Sequence, residues 1–183
     1  MGETVVVFSA DYGLTEDKAH LSAQAMDALE RGIGYANRLS DVVFSYSAVN
    51  IPSQGMRGEA VGKWKERMVN KKLFLQIPTT TVLARNSVDE AVNTKAALAE
   101  KEIEPKKIII FCERWHAIRL RIVWGKAFPG VDIEIHPAPR IGRDYVQRSM
   151  RSNTFTWAIV NLGGAVVTLA LPLKWVANVR QPS

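Results

Sequence analysis

The sequence has few residues of the kinds that build disulfides and metal sites. It contains one cysteine, Cys112, and three histidines, at positions 20, 116 and 136. A single cysteine excludes an intrachain disulfide and supplies no cysteine pair for a structural zinc site. The histidines are too scattered along the chain to predict a metal cluster. The first residues hold no basic segment followed by a long apolar run, so we expect no secretory signal.

Three common catalytic and nucleotide-binding motifs are also absent. No G-x-G-x-x-G follows the first apolar run, which argues against a standard dinucleotide site. No G-x-x-x-x-G-K-[ST] occurs, which argues against a P-loop. No G-x-S-x-G occurs, which argues against an α/β-hydrolase.

The composition favours one globular domain with a basic surface. Hydrophobic residues make up 47% of the 183 residues and charged residues 23%, which suits a single sizeable core. The formal net charge of +6 favours an anionic neighbour, whether a phosphate-bearing ligand, a membrane surface or nucleic acid. An ordinary soluble surface rich in Lys and Arg explains the charge equally well. Nucleic acid is disfavoured because the basic residues form no stripe interleaved with aromatic residues.

Short apolar runs alternate with longer amphipathic stretches. The predicted strands are residues 4–9, 42–46, 73–77, 108–112 and 131–135. Four helices are predicted between these strands. The first begins at Thr15, the second spans about 59–69, the third begins at either the 79–81 turn or Ser87, and the fourth spans 114–128. Strands joined by helical crossovers are parallel, with right-handed connections. The chain is therefore predicted to be an α/β protein with a doubly wound, mostly parallel, five-stranded Rossmann-like sheet and a C-terminal helix.

Several local signals set the predicted boundaries. Gly32 and Gly34 are expected to end the first helix, and Pro78 is expected to end the third strand. Ser87 and Glu90 match the S-x-x-E capping box. Apolar and polar residues alternate over residues 131–135, which predicts an edge strand with one solvent-exposed face.

The chain divides into a Rossmann-like domain over residues 1–140 and a basic and apolar segment over residues 141–183. Residues 152–173 include no charged residue, and Trp157 and Trp175 lie near the two ends of this run. One interpretation is membrane contact through residues 152–175, with the folded domain attached to the cytoplasmic face by the positive-inside rule. The other is a long helix packed on a cytoplasmic domain. Both remain open.

Polar side chains stand where the predicted strands end. In an open α/β sheet, ligands bind beyond the carboxyl ends of the strands. The residues expected there are Ser9, Asp11, Ser45, Glu59, Arg85, Asn86, Arg114, His116 and Arg119. This edge is therefore the predicted ligand-binding site.

His116 and Arg119 are the strongest candidates because a spacing of three places them on one helix face. The two side chains could bind an anion together. Alternatively, His116 could be a catalytic general acid or base. A structural hydrogen bond is the simpler explanation for His116. Arg85 could pair with a phosphate or lie on the surface beside the helix cap Asn86.

The order of these segments resembles the YdcF–SanA–ElyC family. The resemblance covers about residues 4–137 and rests on the segments 5–10, 19–29, 59–60, 79–86 and 115–119. The last of these reads Trp-His-Ala-Ile-Arg and resembles the family's aromatic-His-x-x-Arg. The chain departs from the family where a glycine-rich turn is replaced by Ser9-Ala10-Asp11 and a Ser-Gly-Gly by Ser45-Tyr46-Ser47. Arg85 stands where the family commonly has an acid.

The resemblance implies a Rossmann-like fold, a link to cell-envelope processes and a crevice for an anionic or nucleotide-like small molecule. S-adenosylmethionine is one candidate ligand. The alternative is a non-enzymatic, membrane-associated factor in envelope maintenance, anchored by its C-terminal helix. The resemblance does not decide whether the protein is an enzyme.

Overall fold

Strands and helices alternate along the chain, as the sequence predicts. The computed structural model describes residues 4–10, 20–49, 58–139, 141 and 154–174. The strands are β1 (Val5–Ser9), β2 (Val42–Val49), β3 (Thr79–Ala84), β4 (Lys107–Glu113) and β5 (Asp132–Ala138). The helices are α1 (Ala23–Ala36), α2 (Gly58–Lys72), α3 (Ser87–Ala99), α4 (Arg114–Ala127) and α5 (Thr154–Ala170).

The described strands form one parallel sheet in the order β3-β2-β1-β4-β5. The three central strands are in register at Val7, which pairs with Phe44 on one side and Ile109 on the other. Helical crossovers join consecutive strands, so every described pair is parallel. This confirms the predicted doubly wound, Rossmann-like α/β fold.

Helices cover both faces of the sheet, and successive strand side chains point alternately into the two resulting core clusters. Val7, Phe44 and Phe111 pack with α1 and α2 in one core cluster. Phe8 and Ile110 pack with α3 and α4 in a second cluster. Strands buried on both faces need continuous apolar sequence, which β1 and β4 have.

The third predicted strand is wrong. Residues 73–77 form no strand, and β3 is the Thr-rich run after Pro78. The Leu73 amide donates to the Val69 carbonyl at 2.8 Å, and the Ile77 amide donates to the Phe74 carbonyl at 3.0 Å. This apolar run therefore forms a helix end and a turn. Leu73 and Ile77 are buried in the first core cluster, which explains a hydrophobic pattern that resembled a strand.

Other predicted boundaries shift in smaller ways. The predicted helix start at Thr15 lies outside the described residues. The first described helix is capped by Ser22 and continues past Gly32 and Gly34 to Ala36. At Gly32 an added Cβ would lie 3.2 Å from the Phe44 ring, so this glycine lets α1 lie close to the sheet.

The C-terminal helix α5 packs against α4. Lys126 of α4 holds its end, because Lys126 Nζ donates to the carbonyls of Leu169 at 2.9 Å, Leu171 at 3.1 Å and Thr168. Cations commonly satisfy the last carbonyls of a helix in this way. Among the helices of the described ranges, none combines the length and apolarity needed to traverse a lipid bilayer.

Candidate functional site

The candidate site lies where the strand order reverses. From β1 the chain moves to β2 and β3 on one side, then crosses back to β4 and β5 on the other. The carboxyl ends of β1 and β4 therefore flank the switch point, where open α/β sheets bind ligands. β1 is paired with β4 through its last residue, and the next amide, that of Ala10, donates to the Phe111 carbonyl at 3.1 Å.

Three buried serines interrupt the apolar strands near this edge. Ser9 ends β1, whereas Ser45 and Ser47 lie on the face of β2 that also carries Val43 and is covered by α3 and α4. The Ser47 hydroxyl donates to Glu90 Oε1 at 2.6 Å. Within the described part of the chain, the hydroxyls of Ser9 and Ser45 have no hydrogen-bond partner.

The start of α3 turns Ser87 and Glu90 inward. Asn86 is the N-cap, and its side-chain oxygen accepts from the amides of Val88 at 2.9 Å and Asp89 at 3.1 Å. An N-cap oxygen normally satisfies these otherwise unpaired amides. The helix therefore begins at Ser87, the later of the two predicted starts, and its cap is Asn86. Glu90 faces the sheet and is fully buried, so it is not a capping-box acid.

The start of α4 turns His116 and Arg119 inward. Glu113 is the N-cap and accepts from the Trp115 amide at 3.2 Å. His116 is 3% exposed and Arg119 4% exposed. His116 Nε2 lies 3.0 Å from Ser87 Oγ, in a hydrogen bond whose donor depends on the histidine tautomer. The predicted shared face is therefore the inner face of α4.

These residues form a polar layer between the sheet and helices α3 and α4. We use this name for one set of buried side chains: Ser45, Ser47, Ser87, Glu90, His116 and Arg119. Burying a carboxylate and a guanidinium costs several kcal/mol per ion unless each is paired or hydrogen-bonded. The layer holds hydroxyls, a carboxylate, an imidazole and a guanidinium, which are the group types that bind anions, hydroxyls and amino groups.

The remaining predicted site residues lie elsewhere. Arg85 is exposed, and its Nε pairs with Asp89 at 2.9 Å. Arg114 is exposed and stacks on the Trp115 ring at 5.1 Å. Asp11 lies outside the described residues, and of Glu59 only the backbone, in the first turn of α2, is described.

The sequence prediction missed Ser47 as a site residue and the inward roles of Ser87 and Glu90. The S-x-x-E pattern pointed to the right two residues but to a cap instead of a buried contact. The lone Cys112 is buried at the end of β4. Across the described ranges, no group of three His, Cys, Asp or Glu residues is arranged to hold a metal ion.

Comparison of the chain with known protein families, with curated proteins and with solved structures gave no match.

Proposed function

We propose that the protein binds an anionic, nucleotide-like small molecule at the carboxyl ends of β1, β2 and β4. The supporting observation is the pair His116 and Arg119, buried one turn apart on the helix that follows β4 at the switch point. A buried guanidinium offers a planar fork of donors that matches phosphate or carboxylate. The resemblance to the YdcF–SanA–ElyC family favours the same crevice.

The anion would be held by side chains more than by the helix terminus. Free amides at a helix N-terminus commonly bind phosphate. At α4 the Glu113 carboxylate already accepts from the Trp115 amide, and its negative charge disfavours an anion there. Arg119 is therefore the main anion contact, with His116 beside it.

The other members of the polar layer favour a ligand with hydroxyl or amino groups. Glu90 Oε1 accepts from Ser47, and a carboxylate in its ionised form only accepts hydrogen bonds. A ribose or an adenine amino group would supply the matching donors. The buried hydroxyl of Ser45 supplies a further donor and acceptor. Nucleotides and S-adenosylmethionine both carry an anionic group together with a ribose.

Thermal unfolding with candidate ligands tests this proposal. The compounds are nucleotides, S-adenosylmethionine, sugar phosphates and prenyl phosphates, with inorganic phosphate as a control. A ligand present at about 100 times its Kd stabilises the fold by about 2.7 kcal/mol, which raises the Tm of a chain of this size by roughly 5 to 10 °C.

The variant pair for this screen is Arg119→Lys and Arg121→Lys. Both keep the charge, but Arg119 is buried on the inner face of α4 and Arg121 is exposed on the same helix. We expect the ligand-induced shift to be lost in Arg119→Lys and kept in Arg121→Lys. A stable wild-type protein that responds to none of the compounds, or an unchanged response in Arg119→Lys, would refute the proposal.

A second candidate function is a non-enzymatic factor that works at a membrane. One observation favours it, the exposed apolar side of α5. The two candidates are separable because ligand binding depends on Arg119 and His116, whereas membrane contact depends on side chains of α5.

A further inference from the structure

The two sides of α5 have opposite exposure. The side packed on α4 carries small or polar residues: Ala158, Asn161, Ala165 and Thr168. The other side carries large apolar residues, which we call the outer face of α5: Ile159, Leu162, Val166, Val167 and Leu169. Steps of three and four residues place most of them in one stripe along the helix. Val166 is 64% exposed and Leu169 is 60% exposed.

A helix on the surface of a water-soluble domain normally turns charged and polar side chains to solvent. No charged residue occurs in α5, and its outer face carries no polar side chain among the residues named. Contiguous apolar surface of this kind usually marks a site of contact with a protein or a membrane.

The charges on either side of α5 favour an anionic surface. After Asp144 the sequence contains no acidic residue but four cations, Arg148, Arg151, Lys174 and Arg180. Lys174 lies four residues beyond the end of α5 and is exposed. Apolar side chains bordered by cations are typical of helices that lie in the headgroup region of anionic bilayers.

A second copy of the chain fits this face less well. A helix of 17 residues is about 25 Å long and about 10 Å wide, so one face offers about 250 Å². Stable protein interfaces bury about 800 Å² per partner. Two copies would also bring like-charged flanks together, and α5 has no charged residues to form the interhelical ion pairs of a coiled coil.

We propose that the outer face of α5 lies in the plane of an anionic lipid surface, with α4 behind it on the side of the folded domain. The contact is peripheral, and α5 does not cross the bilayer. Lys126 holds the end of α5 on α4 and so keeps the apolar side chains pointing outward. The inference deepens the second candidate function and is independent of ligand binding at the polar layer.

Vesicle co-sedimentation of the full chain tests the proposal. The vesicles contain phosphatidylcholine with phosphatidylglycerol, or phosphatidylcholine alone. We expect binding to the mixed vesicles, weaker binding to the neutral ones, and a loss of that difference at high salt, because salt screens the flanking cations. Val166→Glu should weaken binding about tenfold or more, the effect of removing one buried valine from the apolar contact.

Val92→Glu is the matched control, since Val92 is an exposed valine on a different helix, α3. It should leave vesicle binding unchanged. Both variants replace exposed side chains, and unchanged Tm values establish that both are folded. Absence of binding to either vesicle, or equal binding by wild type and Val166→Glu, would overturn the proposal. A concentration-dependent dimer that Val166→Glu abolishes would also overturn it and assign the face to a second copy. None of these outcomes would affect the ligand screen.

Discussion

Removing the Ser47 hydroxyl should destabilise the protein more than removing its neighbour on the same strand face. Ser47 donates to the fully buried carboxylate of Glu90 at 2.6 Å. Hydrogen bonds to charged groups contribute about 1.5–3 kcal/mol, and burial leaves no water to replace a lost donor. We therefore expect Ser47→Ala to lower the free energy of unfolding by about 2 kcal/mol, which corresponds to a fall in Tm of roughly 4 to 8 °C.

Ser45→Ala is the control for this substitution. Ser45 is equally buried, two residues earlier on β2, but its hydroxyl has no hydrogen-bond partner within the described residues. Removing such a hydroxyl is expected to be neutral or slightly stabilising. Urea unfolding of the ligand-free proteins, with equal m-values, measures both changes. Equal losses in the two variants would refute the assigned role of the Ser47–Glu90 bond, because only serine burial would then matter.

Two further predictions concern the edges of the site and sheet. Asn86→Ala should lower the free energy of unfolding in urea by about 1 kcal/mol because it removes the α3 cap. Arg85→Ala breaks only an exposed pair with Asp89 and should lower it by less than about 0.5 kcal/mol. The reverse order would contradict the capping assignment. At the β5 edge of the sheet, a hydrogen bond from Lys107 lowers the pKa of Glu134. The pair therefore stabilises the fold at pH values above the unfolded-state pKa of about 4.3. This stabilisation is lost as the pH falls through the lower folded-state pKa. The stability difference between wild type and Lys107→Met, small because both groups are partly exposed, should therefore be constant near neutral pH and vanish in acid. A difference that persists in acid would exclude the carboxylate as its source.

The fold was predictable because its signals are local. Apolar β-branched runs in β1, β2 and β4 alternate with amphipathic stretches. Each connection has the length of a helical crossover, which joins parallel strands. The third strand was misplaced because Leu73 and Ile77 fill the core from a helix end and a turn. Burial alone makes such a run resemble a strand, and only tertiary packing separates the two.

The site was predictable in part. The spacing of His116 and Arg119 put both on one helix face, and the parallel sheet fixed which strand ends meet. The inward role of Glu90 was not predictable, because the same S-x-x-E pattern suits a cap and a buried acid. Which of the two forms depends on the rotation of α3 against the sheet, and in the structure that rotation places Glu90 against Ser47 of β2.

Helix α4 connects the two proposed surfaces, and this decides which variants can tell them apart. Its inner face carries His116 and Arg119, and helix α5 packs against α4 as well. Leu173, just beyond α5, packs against the core cluster that contains Leu120 and Trp124 of α4. Deleting residues 152–183 would therefore uncover α4 and disturb the polar layer as well as any membrane contact. Loss of ligand binding after that deletion would not distinguish the two candidate functions. Arg119→Lys and Val166→Glu do distinguish them, because each changes one side-chain tip and leaves the packing between α4 and α5 in place.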